Sequence, residues 1–171
     1  MIFARLLSWA LLAVWLTWLF AIQARLGAGS AAAAWIPELG LVLAISVLAH
    51  LEEREGPILA IVLALSRSAF SSEPPVALLA GSLGLVLLGL SLRSVVELTG
   101  PLWRAIIAGG LVLVFDLWLA LVHAARSLGA GPQVDVLPLL AAAATSGLLA
   151  LFASPVLARL PGLTPLRSRQ W

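Results

Sequence analysis

One carboxylate lies inside an apolar run. Asp116 sits in Val112-Leu-Val-Phe-Asp-Leu-Trp-Leu119. A charge there is costly unless it is paired or hydrated, so it points either to a proton or ion site or to a helix-packing contact, as a neutral acid or a salt bridge. The nearest opposite charge of similar standing is Arg67, which interrupts another apolar stretch. Arg67 falls roughly 10 residues past Pro57 and Asp116 roughly 14 past Leu102, so at 1.5 Å per residue their depths differ by about 6 Å. A long arginine can close that gap and form a buried ion pair; alternatively it reaches the surface beside Glu73.

Three other groups carry weaker signals. His50 and Glu53 are three residues apart, and Glu52 and Glu55 are close by, but no second histidine is near and no metal site is expected. His123 lies two turns beyond Asp116, where a hydrogen-bonded interface residue is expected rather than a proton shuttle. Gln23 and Glu38 flank one loop; Glu38 follows Pro37 and is expected in a first helical turn, where the helix dipole favours a carboxylate, with ligand binding as the alternative role.

These residues must be held by apolar helices. The chain has 171 residues, of which 62% are hydrophobic and 11% charged. Its mean hydropathy is +1.10, and so few charges cannot cover a soluble domain of that size. Six apolar stretches predict one all-α transmembrane domain over 1–171, a compact six-helix bundle with spans at about 6–26, 32–50, 57–71, 76–92, 102–125 and 137–160. The first stretch has a signal-peptide look but is long and tryptophan-bearing, and reads as a retained span. The third is short in clean apolar sequence, and arginine asymmetry argues for its crossing. With six spans and a cytoplasmic N-terminus, Arg5, Arg54, Arg93, Arg104, Arg159, Arg167 and Arg169 lie inside, against Arg25, Arg67 and Arg126 outside. If the third span only dips in and returns, the count becomes four inside and six outside. The rule that cytoplasmic loops carry the arginines therefore places both termini in the cytoplasm.

Short loops predict antiparallel neighbours. Small residues mark candidate helix contacts at Ala80 with Gly84, Ala105 with Gly109, and Gly147 after Ala141–Ala144. Trp35 and Trp103 fall at span ends, as an interfacial belt requires, while Trp15 and Trp118 are deep and expected to pack against lipid or a helix.

Several function classes are excluded or disfavoured. The chain has no cysteine and no lysine, which removes thiolate, Schiff-base and P-loop chemistry. No catalytic triad, nucleotide motif or zinc pattern is present, so no enzyme, no metal and no cofactor are expected. Ten arginines without a dense cluster argue against nucleic acid. Membrane lipid is the expected surroundings.

The order of features resembles the MreD family of rod shape-determining membrane proteins. Gln23 ends the first span, Ile36-Pro37-Glu38 opens the second, Gly56 leads the third, and Ser71-Ser72 follows it. Leu92-Arg93 ends the fourth, and Pro138 and Pro155 precede Arg159 in the last. The chain departs from that family at Ser66-Arg67, near its usual aspartate, at Glu73-Pro74-Pro75, and at Ser146 in place of an asparagine. The resemblance implies a non-enzymatic scaffold of the bacterial inner membrane. Such a protein binds a single-span partner of the MreC type and supports cell shape and peptidoglycan elongation. That family's fold also looks like the substrate-binding subunits of energy-coupling-factor vitamin transporters, so the rival expectation is a small-molecule-binding subunit. The rival requires a polar pocket at the outer ends of the spans. The scarcity of polar residues there leads the sequence reading to expect none.

Overall fold

A computed structural model describes residues 2–28, 35–95, 101–127, 135–157 and 160–166. These form six helices and no strand among the described residues: α1 Ile2–Gly27, α2 Leu39–Leu48, α3 Gly56–Ser68, α4 Pro75–Val95, α5 Pro101–Arg126 and α6 Val136–Leu157. Short 3-10 turns at Glu53–Glu55 and Thr164–Leu166 complete the described secondary structure. Arg159 and the tail from Arg167 to Trp171 lie outside the described residues.

Among the described residues, four helices are long and apolar enough to cross a membrane, at Phe3–Gly27, Pro75–Arg93, Pro101–Arg126 and Val136–Ala153. Their outward faces carry large apolar side chains, among them Phe3 and Trp18 of α1, Ile106 and Leu121 of α5, and Phe152 of α6. A hydrocarbon solvent accounts for that surface and water does not. The chain is a helical membrane protein.

The other two helices correct the expected spans. The second span was expected from residue 32, yet Ile36, Pro37 and Glu38 are not helical and α2 begins only at Leu39. The third was expected to 71, but α3 stops at Ser68. At 1.5 Å per residue α2 is about 15 Å long and α3 about 20 Å, against roughly 30 Å of hydrocarbon and about 39 Å for α1 or α5. Pro37 accounts for the break at Ile36, because the residue before a proline avoids the helical region. The apolar run 39–48 is the centre of the bundle: Gly40 to Ala44 and Ser46 to Leu48 are all buried. A helix apolar on every side is one packed on every side.

Ion pairs mark two ends of the bundle. At one, Arg5 of α1 meets Glu52 at 2.7 Å and Glu55 at 3.1 Å, and Arg93 of α4 donates to the Leu51 carbonyl at 2.6 Å. At the other, Arg67 of α3 meets Glu38, which precedes α2, at 2.7 Å. There Glu73, which precedes α4, meets His123 of α5 at 3.1 Å. Successive helices therefore alternate in direction between the Arg5 end and the Arg67 end. Phe20, Leu41, Leu63, Leu85 and Phe115 belong to one buried core drawn from the first five helices.

The closest helix contact is α5 on α6. A Cβ added at Gly109 would lie 2.9 Å from the Ala143 carbonyl oxygen, and one added at Gly147 would lie 2.8 Å from that of Ala105. Ala105, Gly109 and Gly147 thus sit where two backbones touch, which requires small residues. Ala80 and Gly84 do not: both are exposed, and nothing lies within 4 Å of a Cβ at Gly84. The face of α4 that packs is the one carrying Leu78, Gly81, Leu85 and Gly89 instead. Trp118 donates its indole N–H to the Ala77 carbonyl at 2.9 Å, so this deep tryptophan bridges α5 to α4.

Candidate functional site: a charged cavity at the Arg67 end

Two short helices leave one end of the bundle unfilled. Because α2 starts late and α3 stops early, the longer α1, α5 and α6 rise past them around a cavity of about 860 Å³. Gln23 of α1, Asp116 and His123 of α5, and Pro138 of α6 line its walls, with Ser71 and Ser72 from the α3–α4 connection. The expectation that no polar pocket exists at this end is therefore corrected. Polar residues are few along the chain, but chain reversal brings them together at one place.

Glu38, Arg67 and Asp116 form the charged part of the lining. Arg67 Nη1 donates to Glu38 Oε2 at 2.7 Å, and Nη2 lies 3.5 Å from Glu38 Oε1. The same Nη2 is 3.6 Å from Asp116 Oδ1. The three side chains are only 10–15% exposed. The guanidinium also lies 4.9 Å from the ring centre of Phe115 and 5.6 Å from that of Phe20. A desolvated cation over aromatic faces gains on the order of 2 kcal/mol. Arginine suits this position because its planar fork serves a carboxylate and a ring at once.

The arrangement differs from the sequence reading in one respect. Asp116 and Arg67 were the expected pair, and the structure puts them within ion-pair distance. Yet the closer partner of Arg67 is Glu38, which was expected in a first helical turn. Glu38 instead precedes α2 with φ −75° and ψ 76°, and its side chain makes no capping bond. Its backbone N–H donates to Ser146 Oγ of α6 at 2.8 Å. Ser146 is wholly buried, so this bond ties the start of α2 to α6 and aims Glu38 at Arg67. The available signal was Pro37: by delaying the helix it frees Glu38 to face the interior.

Further out, Glu73 does not pair with Arg67. Its Oε1 lies 3.1 Å from His123 Nδ1 and its Oε2 lies 3.5 Å from Arg126 Nη1. This holds the α3–α4 connection against the end of α5. Asp135 accepts the Leu137 N–H at 3.2 Å at the start of α6. Gln23 contributes an unanswered group: its Oε1 is shielded from solvent and has no hydrogen-bond partner among the described residues.

Chemically, the site can bind and orient a polar ligand. It presents four carboxylates, one guanidinium, one amide, one imidazole and three serine hydroxyls. At the opposite end, Glu55 is buried beside Arg5; burial pushes its carboxyl above the usual range, and Arg5 opposes that. No family model, curated protein or solved structure matches the chain.

Proposed function

We propose that this chain is a small-molecule-binding subunit of a bacterial cytoplasmic membrane, with six helices passing between the two faces and both termini in the cytoplasm. The cavity then opens on the outer face. The observation that carries this reading is the cavity of about 860 Å³ with Glu38, Arg67 and Asp116 in its lining. Its size falls in the range of small-molecule sites, and convergent polar groups are what such sites use for orientation. The seven-to-three arginine asymmetry supports the orientation. The likeness noted above between the fold of the MreD family and energy-coupling-factor binding subunits is compatible with this function, and a transporter complex is the corresponding partner. Binding without covalent chemistry is the proposed role.

Native mass spectrometry of the protein purified from its own membrane tests this. A stoichiometric small molecule, lost when Asp116 and Glu38 are both neutralised, is the expected result. A protein that arrives empty refutes it.

A second reading, the MreD-like scaffold, is favoured by one observation. Gln23, Ile36, Glu38, Ser71, Ser72 and Pro138, which carry much of that resemblance, all line the cavity. On this reading the cavity receives part of a single-span partner of the MreC type, in support of cell shape and peptidoglycan elongation. Copurification of one such protein at a one-to-one ratio, in place of a small molecule, is its signature.

A further inference from the structure

The sign of charge in the cavity narrows its ligand. Glu38 and Asp116 share one guanidinium, which leaves a formal surplus of one negative charge beside Arg67. The lining as a whole holds four carboxylates, Glu38, Glu73, Asp116 and Asp135, against Arg67. Assigning Arg126 to Glu73 still leaves the balance negative. Asp116 is nine-tenths buried, and among the described residues only a 3.6 Å ion pair answers it. A second feature points the same way: the shielded Gln23 Oε1 lacks a donor. Site geometry thus offers acceptors in excess of donors, in a space large enough for a small organic molecule.

We infer that the cavity takes a small organic cation, whose protonated amine is held by the Asp116 carboxylate and Gln23 Oε1. This rests on the binding-subunit reading and adds the ligand's class to it. An ammonium supplies three donors and one positive charge, which matches the two unmet needs. An anion would have to draw Arg67 away from Glu38 at 2.7 Å and enter against the carboxylates. A compact metal ion has little support: no three His, Asp or Glu gather into a metal-binding group among the described residues. The Arg67 guanidinium beside Asp116 also repels a small, multiply charged ion. A proton on Asp116 would cancel the surplus but leave Gln23 and the cavity unused.

Benzylamine, benzyl alcohol and benzoate share one ring and differ in charge. Each is titrated into the full-length protein in lipid nanodiscs at neutral pH, followed by calorimetry and by thermal unfolding. Benzylamine should bind saturably and raise the unfolding temperature, and the other two should not. Asp116→Asn should weaken benzylamine binding by roughly tenfold or more, since a charge-assisted bond is lost. Gln23→Leu removes an acceptor, Oε1, that meets no donor among the described residues, so it should weaken benzylamine binding. Tighter binding of benzoate or benzyl alcohol overturns the cation assignment and leaves the binding reading standing. Failure of all three to bind also overturns it, and the native mass spectrum then decides the wider reading: a stoichiometric neutral or anionic molecule keeps it, and an empty protein ends it. Benzylamine binding unchanged in both variants refutes the proposed seat.

Discussion

Replacing Arg67 and replacing Asp116 should have unequal consequences, although the two residues face each other. Arg67 holds two carboxylates, at 2.7 Å and 3.6 Å. At an effective dielectric of about 20, unit charges at those separations attract by roughly 6 and 5 kcal/mol before desolvation is subtracted. Arg67→Gln removes both attractions and the contacts with Phe20 and Phe115, and strands Glu38 and Asp116 together. Removing one member of a buried pair costs about 3–5 kcal/mol, and this variant should reach that range. Asp116→Asn removes only the longer pair, and with it the surplus negative charge, while Arg67 keeps Glu38. Its cost should be well below that of Arg67→Gln, because Arg67 keeps the 2.7 Å pair with Glu38 and a buried ion is replaced by a neutral amide. Adding Asp116→Asn to Arg67→Gln should recover part of the loss, and adding Glu38→Gln should recover more. Thermal unfolding and the yield of monodisperse protein in detergent measure all of these. If Asp116→Asn is as damaging as Arg67→Gln, or if Glu38→Gln rescues nothing, the shared-guanidinium account is wrong.

Three further outcomes follow from other parts of the bundle. Gly147→Leu should prevent close contact of α5 and α6 and abolish the folded fraction on size exclusion, whereas Gly84→Leu, on an open face of α4, should leave the profile unchanged. Ser146→Ala leaves the Glu38 N–H without its acceptor, and should lower stability by about 1–3 kcal/mol in chemical unfolding. Glu55 binds its proton more tightly folded than unfolded; its contribution is therefore complete below the unfolded carboxyl pKa and is lost as pH rises through the raised folded value. Unfolding temperatures across the acid range should fall with rising pH in this window, and Glu55→Gln should flatten the slope.

Helix existence was readable from hydropathy alone, because lipid imposes long apolar runs on any span. Helix length was not. The run 32–50 reads as one span, yet Pro37 and the burial demanded of α2 shorten the helix to 39–48. The cavity follows from that shortening, whereas the scarcity of polar residues along the chain argues for no pocket. Direction was hidden for a related reason. Ala80 with Gly84 and Ala105 with Gly109 share one spacing, but spacing defines a helix face without saying where it points. Tertiary packing turns the second pair onto α6 and the first outward. Asp116 and Arg67 were legible as costly charges at similar depth. Glu38 was not, since its role depends on a bond from its backbone to Ser146, far away in the sequence.

Cysteine accessibility tests the central claim most directly, that a negatively charged cavity opens on the outer face. The chain has no cysteine of its own, so a single introduced thiol has no background. Ala120 lines the cavity one turn beyond Asp116, while Ile106 is exposed on the apolar outside of the same helix. In intact spheroplasts, Ala120→Cys should react with a membrane-impermeant trimethylammonium methanethiosulfonate, and faster than with its sulfonate analogue, whereas Ile106→Cys should react with neither. An Ala120→Cys protein that is labelled only after the membrane is opened, or that prefers the anionic reagent, would contradict the account.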